Sequence, residues 1–172
     1  MKRLPIAVLS AAAGAVLLAG CSPEDSVAGP GSSTAAASSI AAVSCSTSAE
    51  VATGTDPQIA SAAESAALPA GAKVVYVLSQ HNVDDRTKED VIVRICSPGL
   101  VGDQLKDAGT VIARSIKESP AGNSVATLRV TNVAEGNHPQ GKIRCEDFAT
   151  YTFSANAAEG ALRAAWKYPS ES

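Results

Sequence analysis

Lys73-Val74-Val75-Tyr76-Val77-Leu78-Ser79 and Asp90-Val91-Ile92-Val93-Arg94-Ile95-Cys96 decide the fold of this chain. Both runs are dominated by β-branched and aromatic residues. The polar loop Gln80 to Glu89 separates them, so they predict a hairpin with a long tip. Ser97-Pro98 then supplies a capping hydroxyl and a first-turn proline. Val101, Leu105, Ala108, Ile112 and Ile116 recur at helical spacing until Pro120 and Gly122, predicting one amphipathic helix after the hairpin.

Downstream, Ser124 to Val133 alternates, with Val125, Thr127, Arg129 and Thr131 on one face and Ala126, Leu128 and Val130 on the other. That is a half-buried strand. The turn-forming residues Glu135 to Gly141 lead into Lys142 to Phe153, where Ile143, Cys145, Ala149, Tyr151 and Phe153 share a parity. Charged Asp147 interrupts that parity and predicts a bulge near Asp147 and Phe148. The last segment reads two ways: Asn156 and Glu159 suggest a capping box, while Leu162, Ala164, Trp166 and Tyr168 alternate with polar or small neighbours. One helical turn followed by a strand is expected. Upstream, Asp56-Pro57 ahead of Ile59, Ala62, Ala63, Ala66 and Ala67 predicts a short helix ending near Leu68-Pro69. The order α-β-β-α-β-β-β predicts the α+β class, an antiparallel sheet of four to five strands with one amphipathic helix packed on it.

All six aromatics lie from Tyr76 onward, which places the core in residues 72–172, about one domain's worth of chain. From Ser22 to Thr55, 26 of 34 residues are Ser, Ala, Gly, Thr or Pro. Such a stretch buries too little to offset its ordering entropy and is expected to be a tether spanning about 30–35 Å. The expected organisation is an export signal in 1–20, a lipidated Cys21 and tether in 21–55, a short helix and connection in 56–71, and the globular domain in 72–172.

The chain opens with cationic Lys2 and Arg3, then the apolar run Leu4 to Gly20, then Cys21. A membrane span needs ~20 apolar residues. This run has 17 and is interrupted by Pro5, Ser10 and Gly14, so it reads as an export signal. Leu18-Ala19-Gly20-Cys21 resembles the lipobox of bacterial lipoproteins, a resemblance carried by the first 21 residues. It implies that Cys21 is acylated, palmitate among the chains, and becomes the mature N-terminus, anchored to the outer face of the plasma membrane. A cysteine suits that role because its thiolate is the nucleophile that takes up a lipid as a thioether. Two or more chains hold firmly, each buried methylene contributing ~0.8 kcal/mol. The alanine-rich, lysine-poor composition is similar to that of small lipoproteins of high-GC Gram-positive bacteria.

Without Lys2 and Arg3 the chain keeps 12 basic residues against 17 acidic ones, a net charge near −5. Nothing after Cys21 forms a run of Lys or Arg, which argues against nucleic acid and against an electrostatic grip on anionic lipid. Of the cysteines beyond Cys21, Cys96 and Cys145 belong to predicted strands, and bridging them would close a loop of about 49 residues for ~4 kcal/mol. Cys45 stays free, pairs with another molecule, or takes the place of one core partner. The disulfide Cys96–Cys145 is the expected pairing, with all connectivities open.

The two histidines, His81 and His138, fall in predicted hairpin connections, and Asp84 and Asp85 lie near His81. Two such tips at one end of a sheet would offer imidazole and carboxylate to zinc or copper, although the spacing is not diagnostic. No cofactor is expected, and no catalytic constellation appears. Gly122-Asn123-Ser124-Val125-Ala126 follows a helix and opens a strand, the reverse of a nucleophile elbow. The expected function is non-enzymatic, an envelope-tethered domain that meets a protein partner. The alternative is a carrier of a small apolar or lipid-like ligand, suggested by the two-sided apolar strand Val74 to Leu78.

Overall fold

Two hairpins and two helical crossovers generate the sheet. The computed structural model describes Cys45 and residues 48–133 and 139–169. Strands β1 (Glu50–Val51), β2 (Lys73–His81), β3 (Glu89–Cys96), β4 (Val125–Val133) and β5 (Pro139–Cys145) lie side by side in chain order. The expected hairpin forms: β2 and β3 are antiparallel, with Val77 opposite Val93 and His81 opposite Glu89. β4 and β5 also pair antiparallel. The other two pairings, β1 with β2 and β3 with β4, are parallel. The sheet is therefore mixed rather than antiparallel as expected, within the α+β class.

The reason lies in helix α2 (Gly102–Glu118). Its 17 residues rise ~1.5 Å each, about the length of the eight-residue strand β3, so it carries the chain back to where β3 began. The next strand then starts at the same end, which makes it parallel. Helix α1 (Pro57–Glu64) performs the same return between β1 and β2, and it has the expected cap: Asp56 Oδ1 accepts the Gln58 amide at 2.7 Å, with Pro57 in the first turn. β1 lies inside the stretch read as tether, so the sheet begins upstream of residue 55.

α2 starts four residues later than Ser97-Pro98 suggested. Ser97 does not cap it, because a buried side chain, Asn132, holds the intervening turn. Its Oδ1 accepts the Ser97 amide at 2.9 Å, and its Nδ2 donates to the carbonyls of Ser97 and Leu100, each at 2.8 Å. Gly99 and Gly102 take φ of 74° and 59°, which lets the chain swing from strand to helix within that turn.

One sheet face is covered. Val77, Val91, Val93, Ile95, Leu128, Val130 and Ile143 are buried against Leu105, Ala108, Ile112, Ala113 and Ile116 of α2. α1 buries Ile59, Ala62 and Ala63 beside them, and the Ser115 hydroxyl of α2 donates to the Ala62 carbonyl at 2.6 Å. Gly109 lets α2 come close to β5: a Cβ there would meet Ile143 Cδ1 at 2.8 Å and the Trp166 ring at 3.1 Å.

The C-terminal third departs most from expectation. The strand read as Lys142 to Phe153 ends at Cys145, and a turn from Asp147 to Thr150 replaces the expected bulge. That turn rolls Phe148 into the core, its amide donating to the Ala126 carbonyl at 3.0 Å. Phe148, Phe153 and Trp166 form a buried aromatic chain with centroid separations of 5.5 and 6.0 Å. Helix α3 (Glu159–Ala164) starts after Ala158, not Asn156. Its Arg163 grips Asp107 of α2 through two hydrogen bonds, 2.7 and 2.6 Å. The expected final strand reduces to one bridge, Lys167 with Arg144, while Trp166 turns inward to donate to the Thr110 hydroxyl at 3.0 Å.

Cysteine pairing is also corrected. Cys96 is bonded to Cys45, and Cys145 is a free, buried thiol. The expected Cys96–Cys145 bridge is geometrically closed to this fold. Cys96 follows Ile95 and so points away from the helices, whereas Cys145 sits opposite Leu128 on the helix side. Two strand spacings also separate β3 from β5, about 9.6 Å, beyond the ~7 Å that a disulfide tolerates between Cα atoms.

Candidate binding surface

Strand alternation gives the sheet a second face, and no described helix lies on it. The register stacks its side chains in rungs. One rung runs Tyr76, Arg94, Thr131, Lys142; the next runs Leu78, Ile92, Arg129, Arg144; a third holds Gln80, Asp90 and Thr127. With strands ~4.8 Å apart and rungs about 6.7 Å apart, four cations and three apolar side chains share a patch roughly 15 Å by 7 Å. Tyr76, Leu78 and Ile92 are half-buried, and Arg129 and Lys142 are exposed.

Cations outnumber carboxylates on and around the patch. The Arg94 guanidinium lies over the Tyr76 ring, 4.9 Å from its centroid, which holds it flat against the sheet. The acids near the patch are already engaged. Asp90 Oδ1 accepts from Asn82 Nδ2 at 2.9 Å and from the Thr127 hydroxyl at 2.7 Å. Glu146 takes Lys167 at 2.9 Å and Arg144 at 3.8 Å. The Lys167 hydrogen bond, with the charges of Lys167 and Arg144, holds the Glu146 carboxyl below the usual range. Arg94, Arg129 and Lys142 form no ion pair with a described carboxylate. A chain with net charge −3 thus concentrates unneutralised positive charge on one sheet face.

The disulfide belongs to the same face. Cys96 lies opposite Lys73 and Val133, one rung beyond Tyr76, Arg94 and Thr131. Cys45 is therefore held at the edge of the cationic patch.

Of the residues singled out as metal ligands, His81, Asp84 and Asp85 lie among those described. His81 ends β2, largely exposed, with Nδ1 3.1 Å from Glu89 Oε1. The backbone amides of Asp84 and Asp85 donate to Asn82 Oδ1 at 3.0 and 2.9 Å, and Asp85 Oδ1 accepts the Thr87 hydroxyl at 2.6 Å. That hydroxyl holds the Asp85 carboxyl below its ordinary value. The acids thus shape their own loop, and no group of three His, Cys, Asp or Glu among the described residues is placed to hold a metal. His138 and Cys21 lie outside the described residues.

Among the described residues, two of the clefts open to solvent flank α1. The larger, ≈ 490 Å³, lies beside the end of α1 and is walled by Ala49, Ala66, Ala67, Leu68 and Ala72, with Glu64 and Lys73. The other, ≈ 450 Å³, lies between α1 and the end of α2 and is walled largely by Pro57, Ser61, Ala62, Ser65 and Ser115. Short side chains and charges of this kind make surface grooves, not an enclosing apolar pocket. The two-sided apolar character of Val74 to Leu78 has another origin: Val77 enters the core while Tyr76 and Leu78 belong to the open face. Cys145 is fully buried, and burial pushes its thiol up to about 11.

Sequence reasoning missed the cationic patch because its members are scattered from Arg94 to Arg144. The Arg129 parity with Thr127 and Thr131 was one visible signal. No helix among the described residues is long and apolar enough to cross a membrane. The chain matches no protein-family model, no curated protein and no solved structure.

Proposed function

We propose that this chain is a lipid-anchored protein of the cell envelope, held by Cys21, and that its domain works by non-catalytic binding through the open sheet face. One observation carries the reading: Arg94, Arg129, Lys142 and Arg144, with Tyr76, Leu78 and Ile92, occupy adjacent rungs of a face that no described helix covers. The anchor rests on the basic start, the apolar run and the Leu-Ala-Gly-Cys sequence. Anchoring raises the effective concentration of the face towards anything at the membrane.

A photo-crosslinking residue placed at Leu78, with Gln104 on the exposed side of α2 as control, tests the reading in cells of a high-GC Gram-positive host. Adducts from position 78 and none from position 104 are expected. Equal adducts from both positions would overturn the assignment of the face. The anchor is tested separately by intact mass: the membrane fraction should yield a chain starting at Cys21 and carrying diacylglycerol. A chain lacking lipid there would overturn it.

A further inference from the structure

We infer that the open sheet face seats on the surface of an anionic bilayer, so that the domain lies against the membrane to which it is tethered. The inference rests on the binding-module reading and names the partner. Two independent observations point the same way. The first is charge: Arg94, Arg129 and Lys142, none of them in an ion pair with a described carboxylate, share two neighbouring rungs, and a sheet face is the flat shape that a headgroup layer requires. Tyr76, Leu78 and Ile92 add half-exposed apolar and amphipathic side chains between the cations, a composition suited to the water–membrane boundary.

The second is attachment. The Cys45–Cys96 disulfide fixes the N-terminal chain to this face and not to the helix side, one rung from Arg94 and Lys142. Only residues 22–44 separate the lipidation candidate from that point. A tether leaving the opposite face would have to wrap around the sheet before the cations met the bilayer. Here the cations and the tether share one side.

The test uses the lipid-free chain from Ser22 onward, so that acylation contributes nothing. The probes are vesicles of phosphatidylcholine alone and of phosphatidylcholine mixed with an equal amount of phosphatidylglycerol. Cosedimentation with the anionic vesicles only, weakening as salt is raised, is expected. The double variant Arg129→Gln/Lys142→Gln should bind about 25-fold more weakly, roughly fivefold for each cation removed. Equal partition onto both vesicles, or unchanged binding by the variant, would overturn the inference. Should the variant fold poorly, amine labelling of the parent chain decides instead. Lys142 should be protected by anionic vesicles while Lys88, in the far hairpin loop, stays reactive; loss of both or neither would overturn the inference. No vesicle binding, together with crosslinks from position 78 to a protein, would overturn the bilayer as partner and leave the binding-module reading standing.

Discussion

The two faces of the sheet are drawn from the same strands, yet they differ in almost every property. On the helix side, Val77, Val93, Ile95, Leu128, Val130 and Ile143 are buried and apolar. On the other, Arg94, Thr127, Arg129, Thr131, Lys142 and Arg144 alternate with them residue by residue. A strand's period of two separates stability from recognition within one segment. The covered face holds the domain together, and the open face is the proposed binding surface.

The largest expected effect is an exception to that division, because the open face carries one structural element. Cys45→Ser/Cys96→Ser removes a closure of 51 residues and should lower the stability by ~4 kcal/mol, read as a fall in the urea midpoint. Ile143→Ala, on the covered face against Gly109, should cost about 3 kcal/mol through lost transfer energy and an unfilled cavity. A loss of a few tenths there would break the contrast between the faces.

Cys145 gives a pH test of the covered face. Burial raises its thiol from 9.0 to about 11, so the unfolded chain loses this proton first as pH rises. The stability it contributes is whole below the ordinary thiol value and is lost between pH 9.0 and about 11. Cys145→Ala should therefore show a shallower alkaline fall in melting temperature than the parent. In the chain from Ser22 onward, no alkylated thiol is expected at neutral pH without denaturant, and one with denaturant but no reductant. The smallest effect belongs to the open face: Arg129→Ala should change stability by less than about 0.5 kcal/mol, measured by the same urea titration. A larger loss would make Arg129 part of the structure rather than of a binding surface.

Much of the architecture was legible. The β-branched runs around Val74 and Val91, the helical recurrence from Leu105 to Ile116 and the Asp56-Pro57 start each appear in the folded chain, because local periodicity is what those elements are made of. Strand direction was not legible. Whether β4 runs with or against β3 depends on how far α2 carries the chain, a tertiary fact that alternation does not encode. The C-terminal reading failed for a related reason. Phe148, Phe153 and Trp166 looked like strand positions, but they converge in space as an aromatic cluster, and burial there overrides the parity. The candidate surface was the least legible part. Arg94, Arg129 and Lys142 are separated by helix and turn in the sequence, and only the register brings them onto neighbouring rungs.

The Cys45–Cys96 bond also sets the route of mechanical load. A pull on the chain upstream of Cys45 does not reach β1 first, where a two-residue edge strand would peel away rung by rung. It enters at Cys96, in a strand flanked on both sides by paired neighbours, where rupture means shearing many hydrogen bonds at once. β1, α1 and the first hairpin hang inside the covalent loop, sheltered from that force. If the chain is anchored upstream of Cys45, as proposed, the load passes to an interior strand rather than to the sheet edge.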